Sequence, residues 1–130
     1  ASTTAGNTQE HIAYAFSEIE GYSKFTSFTG TNGDVFVYLG FRPRLIWFKN
    51  ADATTNWLCY DTARNPSNPA NFSVQLDEAN TDTTVTNDEI DILSNGFNVK
   101  ATRSDLTGNG NQIIVAAWAE HPFASQARAR

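Results

Sequence analysis

Val35-Phe36-Val37-Tyr38-Leu39-Gly40-Phe41-Arg42-Pro43-Arg44-Leu45-Ile46-Trp47-Phe48-Lys49 is the stretch that decides the fold class. Two short runs of β-branched and aromatic residues flank a glycine and a proline, and neither run is long enough to lay out a helix face. Pro43 has no N–H to give to a sheet ladder, so with Gly40 it marks a corner where one strand ends and the next begins. The pattern continues in both directions: apolar runs of four to eight residues, punctuated by Gly, Asn, Asp and Pro, with no 3.6-residue period over twelve or more positions. Strands are expected at 12–18, 23–28, 35–41, 44–49, 57–61, 71–76, 90–93, 96–101 and 112–120. The fold class that follows is all-β: a two-sheet antiparallel β-sandwich, jelly-roll-like, of about nine short strands. The length fits a single domain, 1–130, with a core over 12–123, an N-terminal arm over 1–11 and a C-terminal tail over 124–130.

Turn chemistry sharpens this reading. Thr29-Gly30-Thr31-Asn32-Gly33-Asp34 and Ser94-Asn95-Gly96 each place Asn-Gly between β-rich runs, which predicts two hairpins. Asn65-Pro66-Ser67-Asn68-Pro69 reads as an ordered exposed loop, and the Asn, Thr and Asp between 77 and 88 as the most mobile or variable one. Three runs, 35–39, 45–48 and 113–118, are apolar at every position instead of alternating. A free-standing sandwich needs polar residues on its outer faces, so these strands are either covered by a partner or sister subunit or shielded by loops. Residues 6–18 also echo 108–120 at a constant offset of 102, as if the lead-in to the chain resembled its last strand.

Composition narrows the function. With nine basic and fourteen acidic residues the net charge is −5, which offers no grip on phosphates and excludes nucleic acid as an expected partner. No run approaches the length of a membrane span, and residues 1–7 are no signal peptide, so membrane insertion is not expected. The absence of methionine and the Ala-Ser start are compatible with a complete small gene product after initiator removal, or with an excised module. Cys59, the single cysteine, sits in Trp57-Leu58-Cys59-Tyr60 and reads as core filler.

Catalytic signatures are missing. His11 and His121 fall in no metal-binding spacing, and there is no nucleophile elbow, phosphate-cradling loop or dinucleotide fingerprint. Asp77, Glu78, Asp82, Asp88, Glu89 and Asp91 cluster in sequence, read as a solvated acidic loop ahead of a calcium site or a glycosidase acid pair. No catalytic residue, no metal and no cofactor is expected. Tyr22, Phe28, Tyr38 and Tyr60 lie near turns, where aromatic rings can stack on sugars.

Five ordered motifs carry a resemblance over 12–123. They are Ile19-Glu20-Gly21-Tyr22-Ser23-Lys24-Phe25 with Phe28-Thr29-Gly30, Gly40 to Lys49, Trp57-Leu58-Cys59-Tyr60-Asp61-Thr62-Ala63-Arg64-Asn65-Pro66, Leu93-Ser94-Asn95-Gly96-Phe97, and Ala119-Glu120-His121-Pro122-Phe123. They resemble an uncharacterised all-β domain of tailed-bacteriophage virion proteins, found in tail-fibre and other structural proteins of marine phages. The resemblance implies a non-enzymatic protein on the virion surface, a tail-fibre or receptor-binding-like module for host attachment. Its implied partners are itself, as a homo-oligomer with a trimer favoured, other virion proteins, and a host-surface glycan or receptor.

Read physically, the motifs are scaffold. Asp61 and Arg64 are spaced to pair across a tight loop, Asn65 to cap the turn before Pro66, Gly40 and Pro43 to shape a corner, and His121 to close the last strand. Candidate ligand contacts fall on three loops expected to group at one end: Thr31, Asn32 and Asp34; Asn65 and Asn68; Asp77 and Asp82. The chain is short for a fibre and shows no stalk, which raises a second reading, a capsid decoration or head-fibre protein that stabilises the shell. Residues 125–130, with Arg128 and Arg130, read as a docking arm or a frayed terminus. A carbohydrate-active enzyme is the third and most remote reading.

Overall fold

A computed structural model describes residues 10, 12–79, 83–84, 89–100 and 103–122. Two antiparallel sheets face each other. The larger runs in the order β1 (Ser23–Thr29), β9 (Gln112–Ala119), β3 (Pro43–Asn50), β4 (Leu58–Asp61), β5 (Phe72–Gln75) and the two-residue β6 (Thr83–Thr84). The smaller is β2 (Val35–Tyr38), β8 (Gly96–Val99) and β7 (Ile90–Leu93). A single helical turn, α1 (Ser104–Thr107), lies against β3 and β9 and buries Leu106 in the core. The all-β sandwich expected from the sequence is the fold observed.

Alternation along the strands builds the core. Ile46 and Phe48 of β3 stand opposite Ala117 and Val115 of β9 on the inner face, all buried. Val37, Phe97 and Ile92 answer from the smaller sheet, in register across β2, β8 and β7. Phe97 meets Phe48 edge to face at 5.3 Å, and Phe48 meets Tyr60 at 5.8 Å, so one aromatic chain ties the sheets together. Gly96 is required where β2 passes it: a Cβ there would lie 2.1 Å from the Val37 carbonyl oxygen. The corner at 39–43 forms as the sequence suggests, with Gly40 at φ +82° and Pro43 opening β3.

Several expectations need correction. Residues 12–18 join no sheet ladder and lie exposed on the outer face of the larger sheet, so the strand expected there is absent, and the echo with 108–120 matches a strand to a non-strand. The Asn-Gly loop at 29–34 is no hairpin, because β1 pairs with β9 and β2 with β8; the chain crosses there from one sheet to the other. Ser94 and Asn95 do join β7 to β8 with Leu93 opposite Gly96, and neither residue adopts a positive φ. Neither β6 nor α1 was foreshadowed by any run of residues. His11, Asp82, Asp88 and residues 123–130, with the C-terminal tail, lie outside the described residues, as does residue 101 of the expected strand 96–101.

Candidate functional site

The outer face of the larger sheet carries the most distinctive surface. Register places Phe25, Ala116, Trp47 and Cys59 side by side across four strands, with Trp118 and Leu45 in the row on one side and Ile114 in the row on the other. Trp47 and Trp118 pack with ring centres 4.9 Å apart, and Phe25 meets Trp118 at 5.8 Å, nearly perpendicular. This explains why β3 and β9 are apolar on both sides: one side is core and the other a cluster of aromatic rings.

Part of the cover comes from the chain itself. Phe16 lies over the cluster, stacked on Phe25 at 5.8 Å and edge-on to Trp118 and Trp47 at 5.4 and 6.2 Å. The segment is returned onto the sheet by a turn with Gly21 at φ +71°. The Ser23 hydroxyl donates to the Ser17 carbonyl at 2.9 Å, while Glu18 pairs with Lys24 at 3.1 Å and accepts from the Phe25 N–H at 3.4 Å. The Lys24 hydrogen bond, then that N–H, hold the Glu18 carboxyl below its ordinary value.

Beside Phe16 the cover stops, and an open groove of ≈ 1170 Å³ remains. Its floor is Trp47, Ile114 and Ala116; Tyr14 and Phe16 form one wall, Trp57 and Leu76 the other. That second wall is fixed by the Trp57 N–H donating to Asp77 Oδ1 at 3.0 Å and the Leu76 N–H to the Trp57 carbonyl at 2.9 Å. Lys49, on the same outer face, donates to the Thr55 carbonyl. Cys59 is buried beneath the face, and burial pushes its thiol up to about 11.

A smaller polar hollow of ≈ 390 Å³ opens between Thr54, Thr55, Asn56, Gln75, Arg103 and Asp105. Behind it runs a buried charge network. Glu89, fully buried, accepts from the Tyr60 hydroxyl and from Arg103 at 2.6 Å, and Arg103 also pairs with Asp105, its Nε donating at 2.9 Å. Burial, then the Glu89 charge and hydrogen bond, push the Tyr60 phenol above the ordinary tyrosine range. For Arg103 burial opposes the charge, but hydrogen bonds to Asp105 and Glu89 outweigh it and hold the guanidinium above its ordinary value.

The candidate contact residues part company in space. Thr31, Asn32 and Asp34 are exposed at the end of the sandwich where β1 finishes, near the 107–111 turn, which accepts the Asn32 N–H at the Thr107 carbonyl, 2.9 Å. Asp77 lies at that end too. Asn65 and Asn68 lie at the opposite end, beyond the Asp61 terminus of β4, so the three loops do not group together. Their amides bind backbone: Asn65 donates to the Asp61 and Phe72 carbonyls and accepts the Phe72 N–H, and Asn68 brackets Ile92 through its N–H and carbonyl, both at 2.9 Å.

Asp61 pairs with Arg64 as expected and accepts the Ala63 and Arg64 N–H groups at 2.9 Å. Partial burial raises the Asp61 carboxyl, yet the Arg64 and Ala63 hydrogen bonds and the Arg64 charge outweigh it and leave the group below its ordinary value. His121 is exposed just past β9. Tyr60 is fully buried and Phe28 packs on Phe97 at 6.4 Å, so of the four turn-proximal aromatics Tyr22 and Tyr38 remain at the surface. The clustered acids separate: Asp77 caps Trp57, Glu89 is buried, and Asp91 pairs with Lys100 at 2.6 Å. No three His, Cys, Asp or Glu side chains converge as a metal site among the described residues.

Residues 1–122 match a family described as a domain of unknown function, DUF7483. The chain belongs to the DUF7483 family. Comparison with curated proteins and with solved structures gave no match. The DUF7483 match takes in the 12–18 segment together with every strand, so the aromatic face and its partial cover both lie within the family domain.

Proposed function

We propose that this chain is a non-enzymatic structural protein of a tailed-bacteriophage virion, displayed on the particle surface as a tail-fibre-like module that serves host attachment. The observation that carries the reading is the open aromatic groove on the larger sheet. A contiguous apolar surface of that kind on a rigid sandwich has the make-up of a protein-docking face. Of the clustered acids among the described residues, Asp77 accepts the Trp57 N–H, Glu89 is buried against Arg103 and Asp91 pairs with Lys100, which supports binding over acid–base chemistry. In this reading the chain assembles with itself, as a trimer on the resemblance, and with other virion proteins. The exposed Thr31–Asn32–Asp34 loop is presented toward a host glycan or receptor, and repeated display turns weak contacts into avid ones.

A capsid decoration protein is the second reading, favoured by the same groove if its occupant is a shell protein. A cryo-EM map of the intact particle tests both. Density for this chain on a tail appendage is the expected result, density on the capsid lattice selects the decoration reading, and absence from the particle overturns both.

A further inference from the structure

Ile12, Tyr14 and Phe16 alternate along an extended segment, yet they are treated unequally. Phe16 is seated among Phe25, Trp47 and Trp118, while Ile12 is 83% exposed and Tyr14 79%. Phe16 lies on top of a layer of side chains, so Ile12 and Tyr14, which alternate with it, form a raised apolar knob. Directly beside that knob the groove over Trp47 and Ile114 stands open. One face thus carries both a projection and a recess of the same chemistry.

We infer that this face joins neighbouring copies of the chain, the Ile12–Tyr14 knob of one copy seating in the Trp47–Trp57–Ile114 groove of the next. The inference rests on the self-association in the reading above and assigns it a surface. Area selects a second copy as the occupant, and charge locates where two copies can meet. Exposed fractions of Ile12, Tyr14, Phe16, Trp57, Leu76 and Ile114, at roughly 200 Å² for a fully exposed large side chain, come to roughly 700 Å². That approaches the ~800 Å² that each partner contributes to a standard stable interface.

Copies with a net charge of −5 repel one another, and they meet at least cost where exposed side chains are apolar. On this face Lys49 is turned to the Thr55 carbonyl, Asp77 to the Trp57 N–H and Glu18 to Lys24, and the exposed side chains of Ile12, Tyr14, Trp57, Leu76 and Ile114 are aromatic and aliphatic. Reciprocal seating closes as a dimer, and one-way seating around an axis closes as a ring such as the trimer.

The test is the mass of the full chain in solution, by sedimentation or light scattering up to about 100 μM. The inference expects a dimer or trimer, and expects Ile12→Asp with Tyr14→Asp to weaken association by roughly 100-fold or more. Both positions are exposed and lie outside every strand, so the double variant should keep the wild-type circular dichroism and a cooperative melt, with a Tm that no longer rises with protein concentration. Tyr38→Asp, on the outer face of the smaller sheet, should associate as the wild type does. A wild-type monomer throughout that range, or an oligomer indifferent to the double variant, overturns the inference. If the chain is found on the particle while monomeric in solution, the virion reading stands and this interface falls. Knob-dependent association of a chain missing from the particle does the reverse.

Discussion

Removing Arg103 tests whether the buried charge network is held together in the way its geometry implies. Glu89 has no solvent of its own: its side chain is 0% exposed, and its two oxygens are met by Tyr60 and Arg103. At the observed 2.6 Å, with an effective dielectric of about 20, the attraction to Arg103 is about 6 kcal/mol. In the wild type that term offsets the cost of desolvating the carboxylate. In Arg103→Met the offset disappears and the desolvation cost remains. Arg103 keeps 27% of its side chain in water, so part of the attraction is screened, and the expected loss is about 3 kcal/mol. For a chain of this size that corresponds to a fall in Tm of about 10 °C. Urea denaturation of Arg103→Met, Glu89→Gln and the double variant is the assay. The amide introduced by Glu89→Gln carries no charge, so the double variant should be more stable than Arg103→Met alone, a coupling of about 2 kcal/mol. Additive losses, or an Arg103→Met variant within about 0.5 kcal/mol of wild type, would refute the argument.

Three further outcomes follow from named contacts. Asn68→Ala removes both hydrogen bonds to Ile92; the carbonyl keeps Arg42 at 3.3 Å but the N–H loses its acceptor, so chemical denaturation should show a loss of about 1–2 kcal/mol. Asp61→Ala takes away the acceptor of two N–H groups and the Arg64 partner, and should cost about 2 kcal/mol near neutral pH. Because the folded-state Asp61 value lies below the ordinary 3.8, that contribution is complete above 3.8 and is lost as pH falls through the lower value. The gap between variant and wild type should therefore close in strong acid, as followed by melting temperature against pH. Cys59, buried and raised to about 11, holds little thiolate at pH 8, so an aromatic disulfide reagent should label the native protein roughly 100-fold more slowly than the denatured one.

Legibility of the fold in the sequence depended on how local each signal was. Runs such as 44–49 and 112–120 announced strands because β-branched and aromatic residues recur there without a helical period, and β3 and β9 lie at those positions. The 29–34 loop misled because turn chemistry is local and pairing is not. Asn32 does take a left-handed φ of 60°, but Thr29 pairs with Gln112 and Val35 with Val99, partners the loop cannot specify. The 12–18 segment misled differently: its alternation is that of a strand, and Phe16 uses it to cover a sheet face without joining a ladder. β6 and α1 are too short to write a period. The groove draws on 14–16, β3, Trp57, Leu76 and β9, and no single stretch contains it. The doubly apolar runs nevertheless announced that the outer face is not an ordinary wet surface. Asn65 and Asn68 attracted attention as polar loop residues, when their amides stand in for strand partners at the sheet margins.

The position of β9 also determines when this protein can fold. It is the last strand among the described residues and the inner neighbour of both β1 and β3, so Ser23 finds its partner only when Trp118 exists. During synthesis, β1 and β3 leave the ribosome with their facing edges bare, and the larger sheet cannot close until the codons for 112–119 have been read and those residues have cleared the exit tunnel. Until then the aromatic side chains of β1 and β3 are exposed in the nascent chain, a window in which stalled or prematurely terminated products would be the ones to aggregate.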